Sequence, residues 1–334
     1  MINISMYDIS AEEKKDFKEL EKIGKVTYHE DPISIDNIDK DAEIISMFVS
    51  STVTAELIKE LPKLKLIACR STGFNNVDLD AVKNRKISVA NVPTYGEHTV
   101  AEFTMSLMLA MTRKLLIAAS QYSRHDTSHE KLHGTDLHGK TLGVIGAGKI
   151  GRNVIKAAKA FGLKVIVYDP FITPEMEEEI DVTALELNEL LKTADIITLH
   201  TPLTKDNYHL INSKKLDLMK DGVYIVNTAR GELLDTEALV MAIKSGKVAG
   251  AALDVLEDEK LIDIDEEELL LKKKNTTKET LERILADTIL MHMPEVILTG
   301  HNAYNTSEAI QRINLTSVDN IQKYLTKIPQ NIVH

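Results

Sequence analysis

Thr141–Asp169 reads TLGVIGAGKIGRNVIKAAKAFGLKVIVYD, and its organisation decides the fold. Leu142 to Ile145 is a short apolar run of the kind buried on both faces in parallel sheets. Gly146, Gly148 and Gly151 follow in G-x-G-x-x-G spacing. Ile150, Val154, Ile155, Ala158 and Phe161 then recur at helical intervals, and Gly162 stops the helix. Val165 to Tyr168 forms a second buried strand ending in Asp169, which completes a βαβ unit.

Each glycine has a physical task. Gly146 permits the tight turn, Gly148 lets a pyrophosphate approach the backbone, and Gly151 allows close packing at the helix start, where free N–H groups and the helix dipole favour phosphate. Lys149 and Ile150 lie inside the same turn. Asp169 stands where a carboxylate accepts the ribose hydroxyls and repels a 2′-phosphate, and no Lys or Arg follows until Lys192, so NAD is expected rather than NADP. Gly143 to Lys149 also satisfies G-x-x-x-x-G-K, but Ile150 replaces the Mg²⁺-binding Ser or Thr and Gly143 falls within the strand, which argues against a P-loop.

The 334 residues suit two domains, with 43% hydrophobic and 27% charged residues typical of a globular protein. A net charge of -11 argues against nucleic acid or an anionic membrane as partner. One cysteine, Cys69, excludes an internal disulfide and suits a reducing cytoplasm; it reads as inert packing at a strand end. No signal peptide or transmembrane segment is read from the chain.

Upstream of the glycine turn, strands are expected at Ile2 to Met6, Lys25 to His29, Glu43 to Val49, Lys65 to Cys69 and Ile87 to Ala90. Helices are expected near Ala11 to Lys22, Ala55 to Leu61 and Leu79 to Lys83. At the end of the fourth strand, the Arg70-Ser71-Thr72-Gly73-Phe74 stretch offers either an anion-binding nest or an ordinary loop. Glu97 to Arg124 reads as one long helix, apolar on nearly all sides and so buried against a domain or a second subunit. His129-Glu130-Lys131-Leu132-His133 matches the zinc-protease pattern, but its polar surroundings favour a solvated connector, and no metal is expected.

Downstream, Asp195 to His200, Val223 to Asn227, Gly250 to Val255 and Val296 to Leu298 read as strands, with a helix capped by Asp235 between the second and third. Residues 260–294 read mostly as a solvated insertion with a surface helix, and a last helix covers Asn305 to Tyr324. Ligands of open α/β sheets bind outside the carboxyl ends of strands, where His200-Thr201-Pro202, Thr228-Ala229-Arg230, Asp254, Glu259 and His301 all fall. An arginine, a carboxylate and a histidine beside a nicotinamide site meet the needs of hydride transfer to a 2-oxo acid. Arg230 can grip a carboxylate and polarise the neighbouring carbonyl, and His301 can give that carbonyl oxygen a proton. Glu259 can orient the imidazole and keep it protonated near neutral pH.

With Gly146-Ala-Gly148-Lys-Ile-Gly151, Asn227-Thr-Ala-Arg230-Gly231, Ala252-Leu-Asp254-Val-Leu-Glu-Asp-Glu259 and Gly300-His301-Asn302-Ala303-Tyr304, the chain resembles the D-isomer-specific 2-hydroxyacid dehydrogenases, nearest their D-lactate branch. The resemblance implies two Rossmann-like α/β domains with doubly wound parallel sheets. Residues 1–98 plus 303–334 would bind substrate, and 99–302 would form an inserted NAD domain. It implies that Arg230, Glu259 and His301 are catalytic, that Asp254 holds the nicotinamide carboxamide, and that the Ser71-Thr72-Gly73 amides meet the substrate carboxylate. Tyr95 and Tyr304 would lie near the substrate. It further implies reduction of pyruvate to D-lactate in a cytoplasmic homodimer built partly by the helix from Glu97. A bulkier 2-oxo acid, such as 2-oxoisocaproate or phenylpyruvate, is the alternative substrate, and an NAD-sensing regulator the alternative class. Gly300 stands where the family usually has proline, so a looser loop is expected around His301, and the small Ser50 and Ser51 imply a roomier pocket.

Overall fold

The computed structural model describes residues 1–130, 132–257 and 277–334. The chain forms two compact units, one from Met1–Tyr95 with Asn305–His334 and one from Gly96–Tyr304. In the first unit, β1 (Ile2–Met6), β2 (Gly24–Tyr28), β3 (Ile44–Met47), β4 (Leu66–Cys69) and β5 (Ser88–Ala90) form a parallel sheet of order β2-β1-β3-β4-β5. The apolar runs Ile44-Ile45 and Leu66-Ile67 are fully buried, as a sheet covered on both faces requires. Between the strands lie α1 (Lys18–Glu21), α2 (Ala55–Glu60) and α3 (Leu79–Asn84). Thr54 caps α2 through the Leu57 amide and Asp78 caps α3 through the Ala81 amide. The helix expected over Ala11 to Lys22 is shorter and divided, with a 3-10 stretch at Glu13–Phe17 before α1.

In the second unit, α4 (Glu97–Thr112) and α5 (Leu115–Ser123) replace the expected single helix. They meet at 63° because Lys114 adopts φ 51, the left-handed conformation, and no i to i−4 ladder continues through such a residue. α4 is buried through Met105, Leu107, Met108 and Met111, whereas α5 buries no residue and leaves Leu115, Leu116 and Tyr122 exposed. Among the described residues, no single helix is long and apolar enough to cross a membrane.

The glycine region follows as β6 (Thr141–Ile145), α6 (Lys149–Ala160) and β7 (Lys164–Tyr168). α6 buries Val154, Ile155 and Ala158, the two larger side chains contributing about 1.5–3 kcal/mol each. Gly162 ends the turn after it at φ 77. Then come α7 (Pro174–Ile180), β8 (Thr183–Ala184), α8 (Leu187–Thr193), β9 (Ile196–Leu199), α9 (Ser213–Leu218), β10 (Val223–Asn227), α10 (Thr236–Lys244), β11 (Val248–Leu253), α11 (Lys278–Met291) and β12 (Val296–Leu298). The parallel sheet has the order β12-β11-β10-β9-β6-β7-β8, doubly wound with its direction reversing between β6 and β9. α11 is not only a surface helix, since Ala286 and Leu290 join the core that includes Leu239 and Ile243 of α10.

The last helix, α12 (Ser307–Leu325), returns to the first unit, burying Ile313, Val318 and Ile321 there. Asn320 Nδ2 donates to Asn91 O at 2.8 Å. The terminal residues lie along β5, with Ala90 and Ile332 bridged in antiparallel sense, a pairing that the sequence pattern does not announce.

Candidate active site

The glycine turn sits at the reversal point of the larger sheet. Gly146 has φ 100, and a Cβ there would stand 2.6 Å from His200 O, so the β6 and β9 ends approach too closely for a side chain. A Cβ on Gly151 would strike Gly146 O. Gly148 faces open space and is the N-cap of α6, with no side chain satisfying the helix amides. Asp169 Oδ2 accepts from Ala147 N at 2.7 Å and Oδ1 from Phe171 N at 2.8 Å, so backbone amides fix the carboxylate beside the turn. An open cradle of helix amides with an oriented carboxylate fits the pyrophosphate and ribose of NAD. Lys149 Nζ lies 3.5 Å from the Glu97 carboxylate, and Ile150 packs partly on the core behind the turn. Phe171, two residues past Asp169, is an exposed aromatic at this edge that the sequence reading did not single out.

Three neighbouring strand ends carry further polar groups. After β9, His200 Nε2 lies 2.9 Å from Thr198 Oγ1, and burial of the ring pushes its pKa down to about 3 although the residue as a whole is partly exposed. Its imidazole is therefore neutral near pH 7. Thr201 and Pro202 follow, with Pro202 O accepting from Asn207 Nδ2. After β10, Asn227 folds the chain on itself, its Oδ1 accepting from Ala229 N at 3.0 Å and its Nδ2 donating to Arg230 O at 2.8 Å. Thr228 is buried with its hydroxyl 2.9 Å from that of Thr104 on α4. Arg230 is half-buried, with Nη1 donating to Ala229 O at 2.6 Å.

After β11 comes Asp254, 2% exposed. Its Oδ1 accepts from Thr299 Oγ1 at 2.6 Å and from Asn302 N at 2.8 Å, its Oδ2 from Ala303 N at 2.9 Å, and its backbone O from His301 N at 2.5 Å. Gly300 and His301 are both left-handed, at φ 59 and 56. The loop expected to be looser is thus held at four points by one residue. A proline could not adopt the Gly300 conformation. His301 is exposed, and the Tyr304 ring meets its imidazole edge-on at 6.5 Å between centroids. Glu259 lies outside the described residues.

The sequence reading also passed over Tyr208, His209 and Glu257. Glu257 Oε1 accepts from Tyr208 Oη at 2.5 Å and lies 2.9 Å from His209 Nε2. Its side chain is 3% exposed. These residues are far apart in sequence, and only a run of acids marked Glu257, so local pattern could not have joined them.

In the first unit, Arg70 closes β4, almost fully buried, donating from Nη2 to Asp8 O at 2.6 Å and facing the Phe48 ring at 5.6 Å. Desolvation lowers its pKa to about 10. In the Ser71–Gly73 loop that follows, the carbonyls and hydroxyls are tied: Ser71 O accepts from Val92 N, Thr72 O from Asn91 Nδ2, and Gly73 O from Ser71 Oγ, while Thr72 Oγ1 donates to Val92 O. None of the three amides meets a protein acceptor among the described residues. No residue of the loop has a positive φ, so it is not a nest of alternating handedness. Tyr95 O accepts from Arg312 Nε at 2.7 Å. Ser51 is turned inward to Asp8 Oδ2 and Ile33 N, which leaves only Ser50 of the small pair exposed. Cys69 is buried and its thiol is pushed up to about 12, which suits inert packing.

The zinc-like pattern lacks the helix that it would need, since the described residues of 126–137 form none and His129 and His133 are exposed.

Comparison with known proteins now bears on this geometry. Residues 105–303 match the family model described as D-isomer specific 2-hydroxyacid dehydrogenase, NAD binding domain. The chain is 38% identical over 333 residues to the 2-hydroxyacid dehydrogenase homolog 2 of Schizosaccharomyces pombe, covering 97% of each. It is 39% identical over 297 residues to the aromatic 2-oxoacid reductase of Clostridium sporogenes, covering 88% of this chain and 86% of that one. The D-lactate dehydrogenase of Aquifex aeolicus, solved with NAD and lactic acid, superposes with a TM-score of 0.82 at 33% identity, over 98% of this chain and 96% of that one. With two parallel-sheet α/β units and a glycine turn that fits NAD, the chain belongs to the D-isomer specific 2-hydroxyacid dehydrogenases, enzymes that use NAD.

Proposed function

We propose that the chain reduces short 2-oxo acids to D-2-hydroxy acids, with pyruvate to D-lactate as the first substrate pair. The observation that carries this reading is the placing of Arg230 and the Asp254-held His301 after the adjacent strands β10, β11 and β12. NADH, when bound, supplies the hydride. Arg230 grips the substrate carboxylate and polarises the neighbouring carbonyl through its planar donors, exchanging its bond to Ala229 O for the substrate. His301 gives the carbonyl oxygen a proton and takes it back in the oxidation direction. Glu259 is proposed from the sequence as the partner that keeps this imidazole protonated. The Ser71, Thr72 and Gly73 amides receive the carboxylate, and Tyr95 and Tyr304 border the substrate. Lys149, Ile150, His200, Thr201, Pro202, Thr228 and Ala229 serve the cofactor side, and Asp254 keeps one lone pair, on Oδ2, for the carboxamide.

A bulkier 2-oxo acid is the second reading, favoured by the small exposed Ser50 and by the likeness to a relative named for aromatic 2-oxo acids. NADH consumption with pyruvate, 2-oxoisocaproate and phenylpyruvate, ranked by kcat/KM, decides between them. Fastest turnover of pyruvate supports the first reading; a rank order led by phenylpyruvate replaces it. No turnover with any of the three overturns both and leaves an NAD-binding regulator. We further propose a cytoplasmic homodimer joined through α5, whose exposed Leu115, Leu116 and Tyr122 form an apolar face.

A further inference from the structure

Glu257 is a buried carboxylate with no part in the chemistry proposed above. Burying a charge costs free energy unless partners compensate, and Glu257 draws them from three other segments of the chain. Tyr208 and His209 meet Oε1; Arg283 Nε of α11 lies 3.5 Å from that oxygen, and Thr236 Oγ1 of α10 lies 3.5 Å from Oε2. The two rings are stacked, 4.0 Å apart between centroids, so both donors approach from one rigid platform.

That platform is tied to the turn after Arg230. His209 N donates to Glu232 O at 2.8 Å, and Ile211 N donates to Leu233 O at 3.0 Å. His209 holds φ 48, a conformation that a non-glycine residue keeps only where its surroundings impose it. The Leu256–Glu257 backbone also packs directly on the same turn, because a Cβ on Gly231 would strike Leu256 C and O and come within 2.5 Å of Glu257 N. The turn from Arg230 to Leu233 is therefore held both by the main chain of Leu256–Glu257 and by a platform that the Glu257 side chain holds.

We propose that Glu257 is a positioning residue for Arg230. It locks the loops after β9, β10 and β11 into one frame and so sets where the guanidinium meets the substrate carboxylate. This rests on the reading of Arg230 given above, and it assigns Glu257 no contact with substrate.

The test compares a 2-oxo acid with its amide, pyruvate against pyruvamide, since only the acid carries the charge that Arg230 would grip. In Glu257→Ala, KM for pyruvate should rise about tenfold or more, the preference for pyruvate over pyruvamide should shrink by a similar factor, and the NADH Kd should stay within about twofold. Glu257→Gln keeps an acceptor for Tyr208 and should restore part of the preference. Tyr208→Phe removes one donor at a half-exposed position and should shift the preference the same way by about two- to fivefold, so the idea remains testable if Glu257→Ala does not fold. An unchanged acid-to-amide preference in Tyr208→Phe and in folded Glu257 variants overturns the proposal. So does an equal loss on both substrates, which marks general loosening. Arg230→Ala is run alongside. If it keeps the acid preference, the reading of Arg230 fails; if it loses the preference while the Glu257 variants keep theirs, only the positioning role fails.

Discussion

Two turns at strand ends of the same sheet are built in opposite ways. The Gly146–Gly151 turn is shaped by what is missing, since backbone atoms of His200, Thr201 and Gly146 occupy the places where side chains would begin. The Gly300–Ala303 turn is shaped by what is added, namely the buried Asp254, which takes hydrogen bonds from Thr299, His301, Asn302 and Ala303. A turn made by steric exclusion leaves its amides open for a ligand. A turn made by a carboxylate distant in sequence fixes the backbone of His301, at a left-handed φ of 56. The first kind suits cofactor binding and the second suits a proton donor.

Substitutions can break this contrast, the strongest first. His301→Ala should lower kcat by about 10²–10⁴-fold while NADH binding, followed by NADH fluorescence, stays nearly unchanged. Full activity in that variant would remove His301 from the chemistry. Asp254→Asn places an amide donor against the loop amides and should lower kcat by about 10²-fold, on the scale of roughly 3 kcal/mol for an unpaired buried group. The loss in kcat should exceed the loss in NADH affinity; the reverse order would make the carboxamide contact its main role. Gly151→Ala forces a methyl against Gly146 O and should lower stability by about 1–3 kcal/mol and NADH affinity with it. Gly300→Ala meets open space and strains only φ, so thermal unfolding should report a cost of about 1–2 kcal/mol, the smallest of the four.

The same contrast explains how much could be read in advance. The glycine spacing, Asp169 and the apolar runs of β6, β7 and β10 are local signals, and those strands and the helix between β6 and β7 could be read from them, whereas the short β8 could not. The bend at Lys114 carried no glycine or proline to announce it. The stretch from His125 to Asp136 offered a motif without the helix to support it. The clamp of Asp254 on residues 299–303 and the clasp of Glu257 on Tyr208 and His209 join positions tens of residues apart, and no local period records such pairs. The buried face of α11 was hidden by its charged neighbours in sequence. Arg230, Asp254 and His301 could be placed at strand ends from sequence, but how each is held could not.

The most direct measurement is a single turnover. The protein is loaded with NADH, mixed with pyruvate, and the product resolved into its two mirror forms. The account predicts that the bound NADH is consumed and that D-lactate forms in equal amount. NADH that binds but survives pyruvate and every other 2-oxo acid, or a product of the L form, would contradict it.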